Sequence, residues 1–306
     1  MEYGDYFGLK FSRVCIGCAS FSGYTYGPTT KEDCQRTVRA ALEVGVNCFD
    51  TADIYGFGRS EEILGESLKA SDNAVIITKF GVKRLGDGND VVKDLNPKEI
   101  VERLEHSLKR LRRDFVDIYL MHWHDGKTNL DDVMEVLIHL KTTGKIRAIG
   151  CSNFEAPLLA EMHTIQEMGA LQMPYNLAQL EHASLLRDAF QKKHWLTMAY
   201  NVLLQGIFTN KYDPQSHFKG TDIRARSEFF KDGAVEKNFT ILEKLKQLAV
   251  RYKKTTAQIA IRYVLDAGWI ACAVVGAKTA QQAIDNANVC DFKLSDADMS
   301  FLQGGA

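Results

Sequence analysis

Four side chains in this sequence, Asp50, Tyr55, Lys79 and His122, are of the types that together deliver a proton to a carbonyl oxygen. Three of them end short apolar runs: 46–49 before Asp50, 74–78 before Lys79 and 115–121 before His122. Tyr55 follows Asp50 on the next loop. Reducing a carbonyl requires a hydride at carbon and a proton at oxygen. A tyrosine can be the acid, but its ordinary pKa near ~10 makes it sluggish. A neighbouring ammonium favours the phenolate and lowers that pKa. A carboxylate paired with the lysine keeps it charged and fixed, and a histidine can hydrogen-bond the carbonyl oxygen and orient it. Taken singly, each residue has an ordinary reading as a cap, a packed ring, a solvated lysine or a structural histidine. Their order at successive strand ends carries the argument.

Such residues converge only if the strands share one rim, and the pattern along the chain supplies that. Thr30–Asp33 is a capping-box pattern opening a helix with Cys34, Val38, Ala41 and Leu42 on one face, and Gly45 is a left-handed stop. Strands are expected at 13–18, 46–50, 74–78, 115–121, 146–150, 171–173, 196–199 and 270–275. The β-branched run at 74–78 reads as a buried parallel strand. Helices are expected at 60–69, from Asn96-Pro97 onward, and at 130–141, 156–167, 185–192, 235–252, 256–265 and 280–287. Right-handed βαβ units repeated eight times close into a (β/α)8 barrel, expected here as a single domain over residues 1–306, with its chemistry at the C-terminal ends of the strands. A doubly wound open sheet would want GxGxxG after the first strand, and the chain lacks it.

The 306 residues carry a formal net charge of -1, which argues against a nucleic-acid partner or a polybasic membrane surface. The acidic start Met1-Glu2-Tyr3-Gly4-Asp5 lacks a signal-peptide layout, and no apolar run reaches the ~18 residues of a membrane span. A cytoplasmic protein without a membrane partner is expected. Seven scattered cysteines do not suggest a disulfide framework. Cys15-Ile16-Gly17-Cys18 lacks a second CxxC to complete a zinc site and is followed by loop rather than helix, so the pair reads as small apolar filler. His122-Trp123-His124 has no third ligand spaced for it, and no metal is expected.

Longer motifs surround the four residues. The stretch 49–56, running on to Ser60-Glu61-Glu62-Ile63-Leu64-Gly65, together with Ile77-Thr78-Lys79-Phe80-Gly81, Asp117–His122 and Ile149–Phe154, resembles the aldo-keto reductase superfamily over about residues 10–288. The resemblance implies Tyr55 as proton donor, Lys79 as its tuner, Asp50 as the holder of Lys79 and His122 as the group that orients the carbonyl. It implies that Ser152, Asn153 and Gln172 bind a nicotinamide carboxamide and that Tyr200 stacks on the ring. Asn201 stands where the family usually has serine. Leu203, Gln205, Gly206 and Lys211 continue a pyrophosphate loop, and Gly276, Lys278, Gln282 and Asn286 fall at the adenosine end. Lys278 suggests a 2′-phosphate, hence NADP(H). Phe21, Tyr24, Tyr26 and Trp123 are candidates to line the pocket of a small carbonyl or alcohol substrate. Because the chain stops soon after its last barrel helix, an open site suited to a polar or bulky substrate, such as a sugar or natural-product ketone, is expected. Two other functions fit less well: an NADP(H)-binding regulatory subunit, as in potassium-channel β subunits, and a barrel isomerase without nicotinamide.

Overall fold

The structure is a computed structural model that describes residues 1–86, 90–162, 165–180, 186–187, 194–231 and 233–304. Eight parallel strands close into a barrel. They are β1 (Val14–Gly17), β2 (Cys48–Asp50), β3 (Val75–Phe80), β4 (Val116–Met121), β5 (Ile146–Ser152), β6 (Met168–Pro174), β7 (Leu196–Tyr200) and β8 (Cys272–Gly276). Each pairs with the next, and β8 closes on β1 with Gly276 opposite Gly17. Around them lie α1 (Lys31–Glu43), α2 (Arg59–Ser67), α3 (Pro97–Leu111), α4 (Leu130–Thr142), α5 (Ala156–Ala160), α6 (Ala234–Tyr252), α7 (Thr256–Asp266), α8 (Ala280–Ala287) and α9 (Asp296–Gln303).

Local chemistry starts these helices where the sequence indicates. The Thr30 hydroxyl accepts from the Asp33 N–H at 3.1 Å. The Asn96 side chain accepts from the Lys98 N–H at 3.2 Å, with Pro97 at the first helical position. Each such cap is worth about 1 kcal/mol. Gly45 ends the first helical segment at φ +87.

Strand alternation separates two cores. Cys15, Cys48, Val75, Ile77, Ile118, Leu120, Ala148, Ala170, Leu196, Met198, Cys272 and Val274 fill the barrel interior, and the intervening strand residues pack outward against the helices. The same parity, carried to the strand ends, turns Gly17, Asp50, Lys79, His122, Ser152, Gln172, Tyr200 and Gly276 to the inside of one rim.

Several elements differ from expectation. The helix expected over 156–167 stops at Ala160, and Ile165–Glu167 is a 3₁₀ turn feeding β6, which begins at Met168 rather than Leu171. β6 draws the chain out early because its extra residues extend the parallel ladder with β5. The helix expected over 185–192 lies mostly outside the described residues; Leu186 and Arg187 are helical. Two hairpins also went unread. Tyr3–Tyr6 pairs with Leu9–Ser12 and inserts Phe11, 2% exposed, into the floor of the barrel. Val82–Arg84 pairs with Val91–Lys93 beyond β3. Among the described residues, no helix is long and apolar enough to cross a membrane.

Candidate active site

Lys79 is fully buried near the end of β3, and its ammonium donates to Asp50 Oδ1 at 2.7 Å and to the Thr51 carbonyl at 2.8 Å. Adjacent strands bring the pair together: Asp50 sits opposite Ile77, two residues before Lys79 and on the same face. The other carboxylate oxygen of Asp50 accepts from Gln172 Nε2 at 2.7 Å.

Tyr55 reaches this pair from the loop after β2. Its neighbour Gly56 takes φ +64, and a Cβ there would lie 2.9 Å from Ser22 Cα, so only glycine lets the tyrosine loop rest on the turn after β1. The Tyr55 ring meets the His122 ring edge-on at 5.8 Å between centroids, and Lys79 Nζ lies 5.1 Å from the Tyr55 centroid. Burial, and then the Asp50 carboxylate, push Tyr55 well above its ordinary value. Lys79 faces the ring rather than donating to the hydroxyl, and its charge is met by Asp50. The tyrosine therefore keeps its proton.

His122 extends β4, its N–H bonding the Phe80 carbonyl at 2.8 Å. Burial, and then the Lys79 charge, hold its imidazole well below the usual histidine range. It is neutral at physiological pH, and its Nδ1 has no hydrogen-bond partner among the described residues.

On the opposite side, Asn153 adopts φ +61 just past β5. Its amide donates to the His122 carbonyl at 3.0 Å and to Ser152 Oγ at 3.1 Å, while its Oδ1 accepts from Tyr200 at 2.6 Å. Ser152, Asn153, Gln172 and Tyr200 thus join the tetrad on one rim. Gln172 Oε1 makes no hydrogen bond among the described residues. It can accept from an amide NH2, the donor a carboxamide presents.

After β7 the chain coils tightly. Asn201 Oδ1 accepts from the Gln205 N–H at 2.9 Å and its Nδ2 donates to Gln179 Oε1 at 2.9 Å, so this amide shapes the loop instead of facing outward. Leu203 is partly buried, Gln205 and Gly206 take positive φ, and the buried Gln205 Oε1 lacks a partner among the described residues. Lys211 is exposed beyond the loop. At the β8 end, Gly276 is open, and Thr279 caps α8 by accepting from the Gln282 N–H at 3.2 Å. Gln282 Oε1 accepts from the Lys278 N–H at 2.8 Å, and Asn286 donates to the Gly276 carbonyl at 3.4 Å. The Lys278 ammonium bonds the Tyr26 carbonyl, which also accepts from Arg224 at 3.2 Å. Burial, and then Arg224, lower the Lys278 pKa.

The pocket candidates divide. Phe21 is 0% exposed and belongs to the outer core, which corrects its assignment as a substrate contact. The turn that carries it, Cys18–Ser22, packs against α2. Tyr24 lies 6.3 Å from the Phe57 ring, and Trp123, 36% exposed, carries Lys93 4.4 Å above its ring. His124 bonds the Thr128 carbonyl at 3.2 Å. Cys151 is fully buried, which pushes its thiol up.

Sequence reasoning missed the support beneath the tetrad. Glu61, 0% exposed on α2, accepts from Thr78 at 2.6 Å and from Arg110 at 2.7 Å. Gly65 lets α2 approach α3, since a Cβ there would lie 2.8 Å from Leu111 Cα. Asp53 pairs with Arg103 at 3.1 Å. A buried glutamate opposite an outward-facing threonine was the available signal. The Arg224 link to Tyr26 joins residues 198 apart and had none.

The Aldo/keto reductase family model matches residues 13–304. The chain is 31% identical to aldo-keto reductase YhdN of Bacillus subtilis, over 95% of this chain and 88% of that protein. It is 29% identical to the NADH-specific methylglyoxal reductase of Escherichia coli, over 96% and 94% of the two chains. Among solved structures it is similar to the glycerol dehydrogenase of Gluconobacter oxydans, with TM-score 0.89 and 31% identity over 97% of this chain and 91% of that one.

Proposed function

Because the chain belongs to the aldo/keto reductase family and is an oxidoreductase, we propose that it interconverts a small polar carbonyl compound and its alcohol with NADP(H), Tyr55 being the proton donor and acceptor. The observation that carries this reading is the buried Lys79–Asp50 pair, 2.7 Å apart, set beneath the edge-on Tyr55 and His122 rings.

The residues on the rim fit a nicotinamide dinucleotide: the free Gln172 Oε1 for the carboxamide, Tyr200 beside it, positive-φ backbone at Gln205 and Gly206, and an open Gly276 before the capped α8. When bound, such a cofactor supplies the hydride at the carbonyl carbon. Neutral His122 donates a hydrogen bond to the carbonyl oxygen and aims it at Tyr55. Tyr55 then transfers its proton to that oxygen, and the Lys79 charge stabilises the phenolate left behind. Asp50 holds Lys79 in place through the step. Trp123 and Tyr24 exclude water from the substrate side.

The Lys278 ammonium near Tyr26 favours a 2′-phosphate, Arg224 being paired with Asp222 at 2.6 Å, while the NADH-specific Escherichia coli relative makes the choice of cofactor the point to measure. Relatives named for methylglyoxal and glycerol support a short, polar substrate over a long apolar one. The test is turnover of NADPH and NADH with methylglyoxal, glyceraldehyde, aldoses and aromatic ketones, and of NADP+ with glycerol, in wild type and Tyr55→Phe. Reduction of short polar carbonyls that vanishes in the variant supports the proposal. Tight cofactor binding with no turnover of any substrate overturns it in favour of a nucleotide-binding subunit.

A further inference from the structure

The floor of the barrel, one inward layer beneath Asp50, holds a group of side chains that the proposed reaction does not use. Cys272, Cys15 and Cys48 come from β8, β1 and β2, three consecutive strands, and all face inward. Each is 0% exposed. Cys48 Sγ lies 3.0 Å from Cys15 Sγ, and all three sulfurs lie within 4.8 Å of one another. Cys18, which completes the CxxC with Cys15, belongs to the outer core instead.

We propose that Cys15, Cys48 and Cys272 form a three-thiolate site for a soft monovalent cation, copper(I), in the floor of the barrel. Metal–thiolate bonds of about 2.3 Å in a trigonal plane place the sulfurs about 4 Å apart, wider than the 3.0 Å between Cys15 and Cys48 and inside the 4.8 Å that bounds all three. Sulfur ligands select soft ions such as copper(I), zinc or iron–sulfur clusters. Zinc in a structural site takes four ligands, and among the described residues no histidine or carboxylate joins the three sulfurs. The Cys272 thiol donates to the Ser12 carbonyl at 3.4 Å, a bond given up when the sulfur takes the ion. Binding displaces the three thiol protons to solvent, and the metal–thiolate bonds must outweigh the cost of the net negative charge left in this buried layer. The hairpin Tyr3–Ser12 covers the floor with Phe11. The ordinary reading, three small side chains filling a crowded layer, is the outcome that would overturn the site.

The full chain, reduced and kept under argon, is titrated with copper(I) against a chromogenic copper(I) chelator, both as folded protein and after refolding with the metal. Binding in either preparation counts. One equivalent is expected to move from the chelator to the protein. Cys48→Ala and Cys272→Ala should weaken binding by more than roughly 100-fold, beyond what loss of a supporting group costs. Cys34→Ala and Cys290→Ser, which alter thiols elsewhere, should bind as wild type does. X-ray absorption on the wild-type copper form should show a sulfur-only shell of three at about 2.3 Å, a measurement that stands even if a floor variant does not fold. No transfer from the chelator, equal loss in the Cys34 or Cys290 variants, a shell with nitrogen or oxygen, or tighter binding of zinc in the same competition would each overturn the proposal.

Discussion

Gln172 donates from Nε2 to Asp50 Oδ2 at 2.7 Å, on the carboxylate oxygen opposite the one that holds Lys79. One buried carboxylate therefore ties a residue on the proposed nicotinamide side to the proton-transfer side. Position on one side is coupled to position on the other, because Asp50 cannot turn without breaking one of the two bonds. Gln172→Ala strands one oxygen of Asp50. A loss of about 1–3 kcal/mol of stability is expected, together with weaker cofactor binding. Denaturant unfolding and cofactor titration test both; unchanged values in each would show the bond to be dispensable.

Tyr55→Phe should leave the cofactor dissociation constant nearly unchanged and depress turnover by roughly 10²–10⁴-fold. Lys79→Met should be at least as damaging, since it leaves the Asp50 carboxylate buried without its cation. Single-turnover measurements separate the chemical step from binding. Retention of full carbonyl reduction by the phenylalanine variant would remove Tyr55 from its role.

The pH profile of reduction follows from two shifts of opposite direction. His122 is held well below the usual histidine range, so it is neutral across the physiological range and adds no inflection there. Tyr55 is raised, so it keeps its proton through neutral and mildly alkaline pH. A flat reduction rate from about pH 6 to about pH 9 is expected, against ordinary values of ~6.5 and ~10. An inflection near pH 6.5 that disappears in His122→Asn would contradict the neutral imidazole.

Asp53, whose side chain is 11% exposed, is pushed up to about 7 by burial and by the neighbouring Glu61 charge, despite Arg103. Its carboxyl thus holds a proton in the folded chain over a range where the unfolded chain, at about 3.9, has lost it. The contribution is full below about pH 4 and is lost as pH rises through 7. Asp53→Asn, which cannot ionise, should flatten the decline of stability between those values. Urea unfolding of both proteins at pH 5 and pH 8 is the check: the variant should lose less stability than wild type on going to pH 8.

Lys278→Met should weaken NADPH by about 10- to 150-fold, the worth of a charged hydrogen bond, and leave NADH nearly unaffected. Dissociation constants for both cofactors in wild type and variant decide it. Equal weakening of the two, or a wild-type preference for NADH, would show that the ammonium serves only to fasten Tyr26.

The barrel was legible in the sequence because its cause is local. Alternation along each strand and caps such as Thr30 and Asn96 are written in neighbouring residues, and a shared parity at the strand ends is enough to turn Asp50, Lys79 and His122 inward together. The site motifs were legible for the same reason, since Asp50 and Tyr55 lie in one short stretch. Other features depend on the register with which distant strands meet and on how loops fold after they end. Phe21 looked like a pocket wall until the turn after β1 carried it into the outer core. The link from Gln172 to Asp50 spans 122 residues and arises only when β6 and β2 face each other across a closed barrel. Cys15 and Cys18 read as small apolar filler, yet strand pleating points the first inward and barrel closure brings Cys48 and Cys272 beside it. Local propensity determines which way each side chain faces; only closure of the sheet decides which side chains it then meets.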